Sequence, residues 1–500
     1  MTAMPQEPGT VMHLGTADAV RRVAAAGDDD QVVALLAASP VLAWFALPPH
    51  ELRSILTALP AEKRSAGPLA GLGLMLNAGS PQPAPADLGP RTAAINLGTD
   101  YFQLRMQGAP QAALRQLADP ETATRTSSAL FDTTGGMEGL FEVQSGITLM
   151  LSGSLHQALA AFTRVQLNPP PELPFLLRDA HVKSALIHAQ FGDPRQARQA
   201  LDAAAALPRT DSWVEPGIDA HAEIAEILLL PMGTPDLVDR VNAIPLASVG
   251  ELWPYYVLAL HTAYARAGRH RDGASRVELL RNAAPPRRPR DGFPGSVFEI
   301  LLAEDALLRG DPAVARTLLA EADPALFATR LVAALFDCTV GDLDAAIQRL
   351  ASLQNTTTGL RQLDVRRLVL LATVLYRSGD VDACVGVLRQ LHGVHGGLSE
   401  AERRQLPAEL WPLARERVAG WPALPPGVVP IDLPQPRGRL TTREREVLAC
   451  MAAGQSREQI AATLFISVNT VKTHQRLLFR KLGASNRAEA LVEAAHRGLI

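Results

Sequence analysis

Five side chains close to the C-terminus of this 500-residue chain are spaced to recognise another molecule. Asn469, Lys472, Thr473, Arg476 and Arg480 recur at i, i+3, i+4, i+7 and i+11, which is one face of an α-helix. Lysine and arginine donors match the guanine acceptors exposed in a DNA major groove, and a threonine methyl can touch a thymine methyl. Lys472, Thr473 and Arg476 are therefore the candidates to reach base edges, with Asn469 as a fourth. Ser467, Thr470, Arg480 and Lys481 are better placed for phosphates, which fix register without reading sequence. Ser456 and Arg457, at the start of the preceding helix, could hold one more phosphate at a helix N-terminus. From Ser467 to Arg487 there are five Lys/Arg and no acidic residue. A solvated basic helix on an ordinary bundle would share that charge, but not the elements around it.

Those elements can be read from their caps. Val471, Leu478 and Leu482 form an apolar stripe on the other side of the basic helix. Thr441 with Glu444 fits a capping box, followed by Val447, Leu448 and Met451 as an apolar face, and Gly454 closes this first helix. Ser456 with Gln459 fits a second box, opening a helix that turns Ile460, Ala461 and Leu464 inward. Phe465-Ile466 is a short break, Ser467 the next N-cap and Gly483 the end of the basic helix. Asn486 with Glu489 opens a fourth helix running through Ala490, Leu491 and Ala494 to Gly498. Four short capped helices with this spacing describe a helix-turn-helix module.

These residues closely resemble the LuxR-type helix-turn-helix. The matching features are Leu440-Thr441, Arg443-Glu444, Glu446-Val447-Leu448, Gly454, Ser456, Ile460-Ala461, Leu464, Ser467, Thr470-Val471-Lys472, His474, Lys481-Leu482 and Arg487. The resemblance implies binding of double-stranded DNA as a homodimer, with the third helix in the major groove and the fourth in the dimer contact. Gln475 departs from the pattern, where an apolar residue is common, and is expected to loosen the packing of the third helix slightly.

Five hundred residues exceed one core and suggest two to four packing units. The composition, 47% apolar with only 5% aromatic and rich in Ala and Leu, favours helices. Net charge is −3, but residues 439–500 hold ten Lys/Arg against five Asp/Glu, so that tail is +5 and the remainder −8. A basic tail on a mildly acidic body fits one nucleic-acid domain on a body that does not bind DNA. Cys338, Cys384 and Cys450 are far apart and outside metal-ligand spacing. They read as buried small residues in a reducing cytoplasm, with a redox sensor as the alternative. The polar N-terminus lacks a signal peptide's apolar region, and no apolar run approaches a membrane span, so a cytoplasmic protein is expected.

Residues 1–90 read as an N-terminal helical segment, with helical stretches from Ala17, over Pro49 to Leu59 and over Pro68 to Ala78, and a proline-rich connection from Ser80 to Pro90. Residues 91–418 look repetitive. A glycine, often followed by Asp, separates helical runs at Gly108, Gly153, Gly192, Gly233, Gly268, Gly310, Gly341 and Gly379. Five residues later comes a small residue (Ala113, Ala158, Ala197, Gly273, Ala315, Ala346, Cys384), with Val238 the exception. Nine residues later comes an apolar one (Leu117, Phe162, Leu201, Val277, Leu319, Leu350, Leu388), with Asn242 the exception in the same unit. Glycine ends one helix in a left-handed turn, the small residue admits the next helix closely, and the apolar residue fills the groove between pairs. The pattern resembles tetratricopeptide-like repeats in degenerate form; an irregular all-α domain would share the Gly-Asp turns.

A helical array followed by this C-terminal motif resembles the MalT-like regulators, the large ATP-dependent members of the LuxR group. Their P-loop ATPase has no counterpart here. The only lysines are Lys63, Lys183, Lys472 and Lys481, and none follows a glycine as a Walker A lysine must. Asp28-Asp29-Asp30 suits a helix N-terminus better than a phospho-acceptor site. Residues 419–438 form a linker, with six prolines between Trp421 and Gly438.

No catalytic motif is present: HExxH, GxSxG and CxxC are all missing, and no cofactor is expected. His392 and His395 could share a helical face but have no carboxylate or Cys nearby to complete a metal site. Trp253, Tyr255, Tyr256 and Tyr264 read first as core and second as a wall of a ligand groove. The expected protein is all-α and not an enzyme: a degenerate repeat array at 91–418 that senses a small-molecule inducer or a protein partner, then a four-helix DNA-binding domain at 439–500 that regulates transcription. The alternative is an interaction scaffold whose DNA module needs another regulator to bind.

Overall fold

The structure is a computed structural model describing residues 12–64, 69, 72–73, 76, 101–117, 137–171, 173–283, 285–424, 430–431, 433, 440, 442–496 and 498–500, without the side chains of residues 117, 137, 442 and 480. The regular elements among them are helices, with one isolated β-bridge between Met12 and Thr210. The connection at Ser80 to Pro90, most of Pro68 to Ala78, most of the linker 419–438 and Thr441 of the first capping box lie outside the described residues. No single described helix is long and apolar enough to cross a membrane.

Two compact units emerge: Met1–Gly273 with Ala283–Gly295, and Ala274–Asn282 with Ser296–Ile500. The division falls inside the span 91–418. Each unit is built from antiparallel helix pairs. In the first, Met137–Ser152 packs on Leu155–Leu167, and Phe175–Gln190 on Pro194–Ala205. In the second, Val297–Leu308 packs on Pro312–Glu321, Phe327–Val340 on Leu343–Ser352, and Arg361–Ser378 on Val381–His392.

The Gly-Asp punctuation explains how each pair turns. Seven of the eight glycines take positive φ, which lets the preceding helix end without a side-chain clash. Gly192 does not; a Cβ there would meet His188 Nδ1 at 2.4 Å, so close approach demands glycine instead. The Asp that follows caps the next helix: Asp193 accepts from the Arg195 N–H, Asp311 from Val314, Asp342 from Ala345 and Asp380 from Ala383. Asp28 does the same for Gln31, the helix N-terminal role expected of the Asp28–Asp30 run.

The small residues sit where the pairs touch. Ala113, Ala158, Ala197, Ala315, Ala346 and Cys384 are all fully buried, and a Cβ on Gly273 would lie 2.8 Å from Tyr264 Cβ. Phe162, Leu201, Val277, Leu350 and Leu388 fill the core one turn on, whereas Asn242 is exposed, as the break in the pattern requires. This geometry is consistent with stacked helical repeats.

The aromatic cluster resolves as core. Trp253, Tyr255, Tyr256 and Tyr264 are all buried. Tyr255 packs among Phe191 and Phe293 with centroids 6.0 and 5.9 Å away, and its hydroxyl donates to the Met150 carbonyl at 3.2 Å. These rings do not wall an open groove. Among the described residues no His/Cys/Asp/Glu group could hold a metal. His392 instead packs against Trp421, ring centroids 6.0 Å apart. The three cysteines are buried and free, and burial pushes the Cys384 thiol up to about 11, which disfavours the reactive thiolate a redox sensor needs.

The first unit also carries a histidine held neutral. His221 is buried on the helix Glu215–Leu229, its Nε2 2.9 Å from the Val249 carbonyl. Burial, then the nearby Lys183 ammonium, lowers its pKa from 6.5 to about 4, although Asp179 and the Val249 bond oppose the shift. The unfolded chain therefore binds a proton that the folded chain refuses, and stability falls as pH drops from 6.5 toward 4. The expected loss is about 3 kcal/mol across that window. Thermal melts should show the advantage of wild type over His221→Gln shrinking from pH 7 to pH 4; a constant difference would contradict this account.

In the second unit the C-terminal helices rest on the array. The Arg445 guanidinium pairs with Asp342, the residue that caps Leu343–Ser352. Gly498 lies so close that a Cβ would come 2.9 Å from the Pro312 carbonyl oxygen and 3.3 Å from the Phe336 ring. Of the linker, Ile431 donates its N–H to the Arg404 carbonyl at 3.1 Å, and buried Leu433 accepts from Arg377 Nη2 at 3.1 Å.

Candidate nucleic-acid interface

Four helices make the C-terminal module: Thr442–Ala452, Arg457–Leu464, Val468–Leu482 and Arg487–His496. Their apolar faces meet in one core of Leu440, Val447, Leu448, Cys450, Met451, Ile460, Ala461, Val471, Leu478, Leu482, Ala490 and Ala494, with Leu464 and Leu491 partly buried against it. The caps follow the sequence signals. Ser456 and Gln459 form a reciprocal capping box. Ser467 Oγ accepts the Thr470 N–H at 3.1 Å, and Asn486 Oδ1 accepts the Glu489 N–H at 2.9 Å. Gly454, Gly483 and Gly498 all take positive φ.

The turn between the second and third helices is made by Phe465, whose φ of 54° is left-handed and costs a non-glycine residue about 1 kcal/mol. Its N–H and that of Ile466 return to the carbonyls of Ala462 and Ala461, so the second helix stops within one residue. Phe465 is 94% exposed. The sequence marked it only as a break; no periodicity flags a single exposed aromatic.

With Val471, Leu478 and Leu482 turned inward, the opposite face of the third helix is open. Asn469, Lys472, Thr473 and Arg476 are all exposed on it. Thr473 Oγ1 donates to the Asn469 carbonyl at 3.1 Å, which leaves its methyl for apolar contact. The structure thus brings the four base-edge candidates onto one free face. The phosphate candidates divide. Exposed Ser467 and half-buried Thr470 bond each other, hydroxyl to hydroxyl, at 2.8 Å at the N-terminus of that helix. Ser456 Oγ accepts from Gln459 and donates to Glu458 Oε2 at 2.9 Å. The Glu458 carboxyl is held below its usual range by bonds from its own backbone and from Ser456, with the charges of Arg457 and Lys472 helping. The Arg480 side chain lies outside the described residues.

Lys481 is engaged inside the module. Its Nζ lies 2.6 Å from Oε2 of Glu444, a carboxylate only 1% exposed. That pair ties the first helix to the third. Arg487 does similar work: Nη2 donates to the Met451 carbonyl in the last turn of the first helix at 2.6 Å, and Nη1 to the carbonyl of Gln455, just past its end, at 2.8 Å. Gln475 is buried and accepts from Arg457 Nε at 2.8 Å. Far from loosening the packing, it bonds the third helix to the second.

The family model described as "Bacterial regulatory proteins, luxR family" matches residues 439–494. The C-terminal module is a LuxR-family DNA-binding domain. A probable transcriptional regulatory protein NarL of Mycobacterium tuberculosis is 51% identical over 61 residues, 12% of this chain and 28% of that protein. A probable transcriptional regulatory protein SgaR of Hyphomicrobium methylovorum is 54% identical over 65 residues, 13% of this chain and 31% of that protein. The transcriptional activator protein SolR of Ralstonia solanacearum is 35% identical over 130 residues, 24% of this chain and 55% of that protein. The chain therefore spans from 28% to 55% of the length of these three relatives. No solved structure matches it. The LuxR-type module presents an exposed polar and basic face on a helix fixed by a buried core; neither the family match nor these similarities say what the preceding helical units do.

Proposed function

We propose that this chain is a cytoplasmic, non-catalytic transcription regulator that reads a promoter through its LuxR-type module as a homodimer. The observation that carries the reading is the exposed face of Asn469, Lys472, Thr473 and Arg476 on a module matched by the LuxR family model. The relatives SgaR and NarL, whose names call them probable transcriptional regulatory proteins, support it.

The helical array senses a small-molecule inducer or a partner protein, in the manner of the MalT-like group. The contact of Arg445 with Asp342 and the seat of Gly498 against Pro312 support this, because a change in those array helices is felt directly by the module. The fourth helix exposes Ala488, Val492 and Ala495, a small apolar strip that suits a second copy of the same helix.

The test is selection of bound sequences from a random DNA pool by the full-length chain. Enrichment of a pseudo-palindrome is expected, because a two-fold dimer reads two related half-sites. Absence of any enriched sequence would reject a self-sufficient reader and favour the scaffold that needs another regulator.

A further inference from the structure

We infer that Gln475 is a positioning residue for DNA binding: its buried side chain holds the Arg457 guanidinium as a preset clamp for one backbone phosphate. The inference rests on DNA binding by the LuxR-type module. Gln475 sits on the third helix and is only 4% exposed. A buried amide needs a partner, and Gln475 Oε1 takes the Arg457 Nε–H at 2.8 Å. Arg457 is the first residue of the second helix and is itself exposed.

The division of labour follows from arginine's shape. A guanidinium has five N–H donors in a rigid fork, and the edge formed by its two terminal nitrogens matches two phosphate oxygens. Gln475 uses Nε, and among the described residues no hydrogen bond engages the terminal nitrogens of Arg457. Holding Nε fixes the plane of the fork, so the rotamer entropy of a long side chain is spent in folding and not at the moment of binding. The site lies beside the N-terminus of the second helix, where the Glu458 carboxylate already takes its own backbone N–H and the Ser456 hydroxyl, so the attraction for a phosphate comes from the Arg457 fork. Because the anchor is on the reading helix, phosphate capture by Arg457 also sets the depth of Lys472 and Arg476 relative to the duplex.

The experiment uses the full-length chain, the duplex recovered by selection and an unrelated duplex of equal length. Binding is measured against salt concentration for wild type, Arg457→Ala, Gln475→Leu and the double variant. Losing one phosphate contact lowers the slope of log K against log salt by about 1 per module. Arg457→Ala is expected to show that drop on both duplexes, because phosphates carry no sequence. Gln475→Leu is expected to reproduce most of it, and the double variant to go no further. Leucine is apolar and of similar size, so the melting temperature of Gln475→Leu should stay close to that of wild type, which separates positioning from folding. A Gln475→Leu slope equal to wild type, or losses that simply add in the double variant, would overturn the inference. Wild type that binds neither duplex would instead reject the DNA-binding reading beneath it.

Discussion

Lys472→Ala combined with Arg476→Ala is expected to weaken binding to the selected duplex by a hundredfold or more. Both side chains are exposed on the free face of the third helix, while Val471 and Leu478 anchor the other face in the core. A well-placed contact from Lys or Arg to a guanine edge is worth about 1–3 kcal/mol, so two contacts in each module of a dimer leave ample room for that loss. The sign of sequence reading is unequal loss. Affinity for an unrelated duplex should fall far less, and repeated selection with the double variant should return a relaxed consensus. Equal loss on both duplexes would make these residues phosphate contacts and would move base reading elsewhere on the module. Melting behaviour should change little, since among the described residues no hydrogen bond or ion pair engages either side chain.

Lys481→Met is expected to destabilise the LuxR-type module by about 3 kcal/mol or more. Glu444 is almost fully buried, and its carboxylate lies 2.6 Å from the Lys481 ammonium. The Lys481 side chain is 26% exposed, so stripping the buried carboxylate of this ammonium falls at the lower end of the range, about 3–5 kcal/mol, that breaking a buried ion pair costs. A module of some sixty residues has only a few kcal/mol of stability to lose. Differential scanning calorimetry should resolve an early transition for the module, with DNA binding lost at that temperature and the helical signal of the array retained. Replacing both partners, Glu444→Met with Lys481→Met, should recover most of the stability, because an apolar pair of similar volume is near neutral. If Lys481 instead serves a DNA phosphate alone, Lys481→Met would leave the melt unchanged and lower the salt slope by about 1.

These two lysines differ in what surrounds them in the fold. Lys472 and Lys481 lie nine positions apart on one helix; the polar periodicity offers Lys472 to base edges, and Lys481, off that stripe, is expected at a phosphate. Lys472 is exposed on a face that no described residue covers; Lys481 is captured by Glu444, 37 residues away. Periodicity reports which face a residue is on, not which distant charge reaches it. Gln475 makes the same point from the other side. By sequence it is a polar residue at an apolar position and so a weakness; in the fold its amide meets Arg457 and becomes a bond between two helices.

The sequence by itself determined the helical class, the Gly-Asp turns, the caps at Ser456, Ser467 and Asn486, and the core stripe of Val471, Leu478 and Leu482. All of these rest on interactions within one or two helical turns, and local spacing encodes them. The burial of Trp253, Tyr255, Tyr256 and Tyr264, the neutral His221, the Glu444–Lys481 pair, the exposed Phe465 and the seat of Arg445 on Asp342 were decided only by the tertiary structure. Each depends on a partner, or on the absence of a neighbour, supplied by a segment far away in the chain, and its energy comes from desolvation that exists only once the segments have packed together.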